Sequence, residues 1–247
     1  MYNVKIIFDS NVWRHVSTPD NFPNDASYDA FKKIKEEVIN GKIVPYISET
    51  VFTIESIKRK ERKKFISKYR PKIVFTESTQ NSTVTNTTKL QSDSSVHPGN
   101  HPILAEHLKD AISIGFRIIR CPRIAGIINP EIEDLRFKLV GEELKNYHNK
   151  LLEVGEIIEK HGAGFEQIRI IGEKYHPIWF KGIDIAPEEE WGHIAKAMAE
   201  WADADSVAIT IALGCDYMCT RDFAKSAGDK SVFSSANLEW LNREYHF

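Results

Sequence analysis

Cysteine is scarce in this chain. Cys121, Cys215 and Cys219 are its whole complement. Three thiols cannot build a disulfide framework, and none of their spacings is that of a paired zinc knuckle. Long apolar runs are missing too: no stretch approaches the roughly 20 residues that a membrane span requires. Neither charge is in excess, with 33 Lys and Arg against 35 Asp and Glu and a net charge of −2. That balance excludes a chain-wide basic coat for nucleic acid but not a local basic patch. Residues 1–5 lack the charged-then-apolar layout of a secretory signal. No glycine loop suited to cradling phosphate occurs, since His161-Gly162-Ala163-Gly164 is too short. The expectation left standing is a reduced, cytoplasmic protein, and 247 residues with 42% hydrophobic content can bury a substantial single core.

What is present alternates. Val4, Ile6, Ile7 and Phe8 are apolar on nearly every residue and stop at Asp9-Ser10-Asn11. Such a strand is buried on both faces, which is the habit of a parallel sheet between helix layers. A helix from Ser27 to Asn40-Gly41 follows, then a strand over 43–47 and a helix opening at Glu49 behind a Ser48 cap. The polar stretch 76–100 reads as a long loop, because its composition buries too little to offset ordering entropy. Beyond it the spacing predicts a helix near Pro102, a strand over 116–119 and a long helix over 131–160. Next come helices over 187–201 and 206–213, strands over 216–219 and 231–233, and a short helix over 237–241. The chain therefore reads as one α/β domain over 1–247, with three α/β/α layers around a mainly parallel sheet. Residues 77–183 form a mostly helical elaboration.

Acids gather where an open parallel sheet presents its functional edge, at the carboxyl ends of strands. Asp9 ends the first strand, Asp222 lies just past the strand over 216–219, and Asp205 sits in the first turn of a helix expected to pack nearby. Each alone reads as a cap or turn residue. Together, carboxylates that repel one another call for a hard divalent cation, Mg²⁺ or Mn²⁺.

The run Ile7-Phe8-Asp9-Ser10-Asn11-Val12 resembles the opening motif of the PIN-domain nucleases. Asp205 through Thr220-Arg221-Asp222 is similar to that family's third and fourth motifs, and Ile47 through Glu55 to its second. The resemblance implies a PIN-like fold and metal-dependent cleavage of single-stranded RNA. It implies a catalytic set of Asp9, Glu55, Asp205 and Asp222, with Asp9, Asp205 and Asp222 as metal ligands. Ser10, Asn11 and Thr220 become supporting residues. The family's second acid falls at the position of Ile54, so Glu55 lies one residue late, about 100° further round a helix. Glu49 is the alternative second acid, and Asp203 either caps the helix or faces the site. Compact members are often toxins held by a partner protein, so an antitoxin-like partner is one reading; the extra helices offer a substrate lid or a homo-oligomer interface.

A basic run supplies RNA contacts: Lys58, Arg59, Lys60, Arg62, Lys63 and Lys64, then Lys68, Arg70 and Lys72, against the single acid Glu61. It reads as a continuation of the helix carrying Glu55, with Phe65 and Tyr69 placed to stack on bases or, for Phe65, to fill the core. His97, His101 and His107 read as solvated loop residues. Two other readings stay open: a catalytically degenerate PIN-like module that binds RNA or protein, and an α/β phosphatase. The latter needs an acid or its equivalent two residues after Asp9, where Asn11 stands.

Overall fold

Short strands that are apolar throughout, alternating with one-sided helices, bury their surface best as a parallel sheet covered on both faces. The computed structural model, which describes residues 3–68, 72–80, 83–91, 97, 102–123, 129–222 and 228–247, has that architecture. Its strands are β1 (Val4–Phe8), β2 (Ile43–Ser48), β3 (Lys72–Gln80), β4 (Thr83–Gln91), β5 (Arg117–Ile119) and β6 (Tyr217–Cys219). β5, β2, β1 and β6, in that order, form the central sheet, and every pair is parallel. The helices are α1 (Trp13–Ser17), α2 (Tyr28–Ile39), α3 (Arg59–Lys68), α4 (Pro102–Ser113) and α5 (Gly141–Lys160), followed by α6 (Phe165–Glu173), α7 (Trp179–Ile185), α8 (Trp191–Ala212) and α9 (Ser235–Tyr245).

Alternation along the strands sorts the core into two layers. Phe8, Ile47 and Ile118 pack with residues of α1, α2 and α4 on one face. Ile7, Tyr46 and Ile119 pack with residues of α3 and of α5 through α9 on the other. Ile47 and Ile118, paired in register, are wholly buried, and each such side chain contributes about 1.5–3 kcal/mol of transfer free energy. The large second layer needs close helix contacts. A β-carbon on Gly182 would fall 1.8 Å from the Gly172 carbonyl oxygen, so α6 and α7 touch backbone to backbone.

Several expectations fail locally. The stretch read as a polar loop is largely the antiparallel hairpin β3–β4, paired from Lys72↔Gln91 to Gln80↔Thr83. It is rich in threonine and valine, whose branching favours extended backbone even where the surface is polar. The long helix begins at Gly141 rather than 131; residues 130–135 form a 3₁₀ turn, and Val140 is extended. Two expected helices are one, α8, which runs through Asp203 and Asp205 without a break. Residues 231–233 form no strand, because the Val232 amide is spent on the buried Glu200 carboxylate and Ser234 caps α9. β5 and α4 belong to the main sheet and its cover, so they lie in the sequence range of the elaboration but build the core. Among the described residues no helix is long and apolar enough to cross a membrane.

Candidate active site

The chain crosses from β1 to β2 on one side of β1 while β6 inserts on the other, so the topology reverses at β1. Ligands of open parallel sheets settle in the crevice beyond the strand ends at such a point. Asp9 stands there, immediately after β1. Its buried carboxylate receives three directed donors: the Ser10 amide (2.7 Å), Asn11 Nδ2 (2.9 Å) and Thr220 Oγ1 (2.6 Å). The Arg221 amide donates in turn to Asn11 Oδ1 (3.0 Å) and the Asp222 amide to Thr220 Oγ1 (3.0 Å). The segment after β6 is thereby laced to the segment after β1, with Ser10, Asn11 and Thr220 all donating to Asp9.

Glu55 reaches the same place by an unusual local turn. Behind β2 the backbone winds as a π turn over Val51–Glu55, with the Ser56 amide donating to the Val51 carbonyl (2.9 Å), an i→i+5 bond. The wider turn absorbs one extra residue. Ile54 points into the core with no exposure, and Glu55 accepts from Ser10 Oγ (2.9 Å). Carbonyls along this turn find distant side-chain partners: Asn129 Nδ2 on Phe52 (3.1 Å), His97 Nε2 on Thr53 (3.1 Å) and Arg62 Nη2 on Glu55 (3.0 Å). Arg62 also donates to the Ile57 and Ala195 carbonyls. The basic run is a separate helix, α3, that begins after a break at 56–58 rather than continuing the helix of Glu55.

The third acid of the cluster is Asp203. Asp9, Glu55 and Asp203 each place a carboxylate oxygen within 4.8 Å of the others, and among the described residues they are the group geometrically able to hold a cation. Asp205 corrects the expectation drawn from the motif. Two residues further along α8 it is rotated by about 200°, and it pairs with Arg123 Nε at 2.8 Å while accepting from the Cys121 thiol. Arg123 bridges on to Glu159, and Gly155 leaves room for its guanidinium, since a β-carbon there would fall 1.8 Å from Arg123 Nη1. Glu49 is committed elsewhere as well, accepting from the Cys121 amide (2.6 Å) and pairing with Arg136 (2.8 Å).

Asp9, Glu55, Asp203 and Asp222 line one cleft of about 940 Å³. Burial and mutual repulsion raise the carboxyl of each cluster member: Glu55 to about 8, Asp203 well above its ordinary range, and Asp9 upward against the pull of its donors. Glu200, one turn before Asp203 on the same face of α8, also lines the cleft. Burial pushes its carboxyl up to about 7. The motif reading missed Glu200, although its i,i+3 spacing to Asp203 would have put both on one helix face. His97 and His107, expected in solvent, are buried; His107 Nδ1 bonds Thr18 Oγ1 at 2.9 Å. Tyr69 and His101 lie outside the described residues.

Comparison of the chain with protein-family models, curated proteins and solved structures finds no match. The functional reading therefore rests on this geometry and on the motifs.

Proposed function

We propose that the chain is a PIN-like, metal-dependent endoribonuclease that hydrolyses phosphodiester bonds of single-stranded RNA. The observation that carries this reading is the convergence of Asp9, Glu55 and Asp203 from three distant segments, with oxygens within 4.8 Å at the carboxyl edge of a parallel sheet. The donor set fits the expected ion. It is all carboxylate oxygen, and its members push one another's carboxyls upward, a repulsion that Mg²⁺ or Mn²⁺ relieves. The chemistry supplied at such a site is acidification of water and neutralisation of phosphate charge.

The chain's own residues supply position. Asn11, Thr220 and the Ser10 amide fix both oxygens of Asp9, so little reorganisation is needed when a ligand arrives. Ser10 Oγ ties Glu55 to Asp9 across the cleft floor. In the metal-free cleft, burial and Asp9 raise the Glu55 carboxyl to about 8, so it holds a proton near neutral pH that an arriving cation would displace. Asp222, three residues past β6, also lines the cleft. The presence of Glu55 favours catalysis over a degenerate binding module, because the second acid is at the site. Asp9→Asn should abolish Mn²⁺-dependent cutting of a labelled single-stranded RNA while leaving the far-ultraviolet circular dichroism unchanged. Retained cutting would remove the acid-cluster mechanism.

A further inference from the structure

We propose that the RNA phosphate chain is held by Arg59, Lys196 and Lys230, cations from three segments on the wall of the acidic cleft, rather than by the α3 basic run as a whole; this deepens the nuclease reading and rests on it.

Most of α3 is otherwise engaged or misplaced. The guanidinium of Arg62 is spent on three carbonyls. Lys63 Nζ donates to the Asp184 carbonyl (2.9 Å) and lies 5.1 Å from the Trp191 ring centre. Lys58, Lys60 and Lys64 are exposed but are not among the residues lining the cleft; Arg59 alone of the exposed α3 cations is. The two other wall cations are occupied, Arg62 by those carbonyls and Lys174 by Glu190 at 3.3 Å.

The other two positions are built rather than incidental. Lys196 precedes Asp203 by two turns of α8 on the cleft-facing side, about 10.5 Å along the axis, so it stands along the cleft from the acids rather than over them. Lys230 ends the 3₁₀ turn Gly228–Lys230. Gln167 Nε2 pins its carbonyl (2.6 Å), and the next two residues are tied to Glu200, Val232 through its amide and Ser231 through its side chain. An acidic floor would repel a bare polyanion, so a substrate needs compensating positive charge around it. A chain of phosphates satisfies several such cations at once, whereas a single phosphate ester does not.

The test is equilibrium binding of a fluorescein-labelled single-stranded RNA in EDTA, followed by anisotropy across a salt series. Lys196→Gln with Lys230→Gln should weaken binding and lower the slope of log K against log salt by about 1.4, from about 0.7 per lost contact on a single strand. Lys196→Arg with Lys230→Arg should keep the slope. Lys60→Gln with Lys64→Gln should change neither affinity nor slope. An unchanged slope in the cleft double variant, or an equal loss in the α3 double variant, overturns the inference. Calorimetric Mn²⁺ titration of the wild type and of Asp9→Asn reads the acid cluster separately. Its failure would count against the nuclease reading, whereas the salt slope reports on the wall alone.

Discussion

Asp203 and Asp205 are separated by a single alanine in α8, yet one faces the cleft and the other a buried arginine. Substitution should separate them in kind. Asp203→Asn should lower Mn²⁺ affinity by more than about tenfold with little loss of stability, because a repelling charge is removed. Asp205→Ala should cost up to about 3–5 kcal/mol, the usual penalty for breaking a buried ion pair, since Arg123 keeps only the less buried Glu159. Calorimetric titration and urea unfolding of the two variants check this. The motif ranks Asp205 above Asp203, since a helix is expected to start beside them and Asp203 reads as its cap. Only an uninterrupted α8 gives each a definite face. Asp9 was legible because strand ends are legible: an apolar run stops, and the next polar residue must sit at the sheet edge. Asp222, expected as a metal ligand, lines the cleft but is not in the group of three that converges.

Among the elements, the π turn over Val51–Glu55 decides the site. The resemblance put the second acid at the position of Ile54, and an ordinary helix would have carried Glu55 about 100° off target. One extra residue per turn removes that error. No local propensity announces such a turn, because it is held from outside by Asn129, His97 and Arg62. Arg62→Gln should therefore loosen it, lowering Mn²⁺ affinity by about tenfold and speeding hydrogen exchange of the Ser56 amide. Arg62→Lys should not restore either property, since one ammonium cannot reproduce a planar fork spread over three carbonyls. Wild-type exchange in both variants would remove Arg62 from this role. The hairpin β3–β4 was illegible for a related reason: polarity argued for a loop, and branching prevailed.

On the scale of the whole molecule, the raised carboxyls of the cleft make stability depend on pH in an unusual direction. Between the ordinary value near 4.5 and about 8, the folded state holds a proton on Glu55 that the unfolded state has released. Stability of the metal-free protein therefore falls as pH rises through that window, the sign that linkage gives when the native state binds more protons. In EDTA the melting temperature should be higher near pH 6 than near pH 8.5. Mn²⁺ should reverse the trend, adding about 2.7 kcal/mol at a hundredfold excess over its Kd. A melting temperature in EDTA that rises with pH would show that the carboxyls are not strained as described.

The hydroxyl that completes the Asp9 environment comes from Thr220, 211 residues later in the chain. On a translating ribosome, Asp9 emerges early but must wait for β6 to clear the exit tunnel before its last donor arrives. Under the proposed nuclease reading, a nascent polypeptide would carry only an unassembled site, and the order of synthesis would keep it inert until the fold closes.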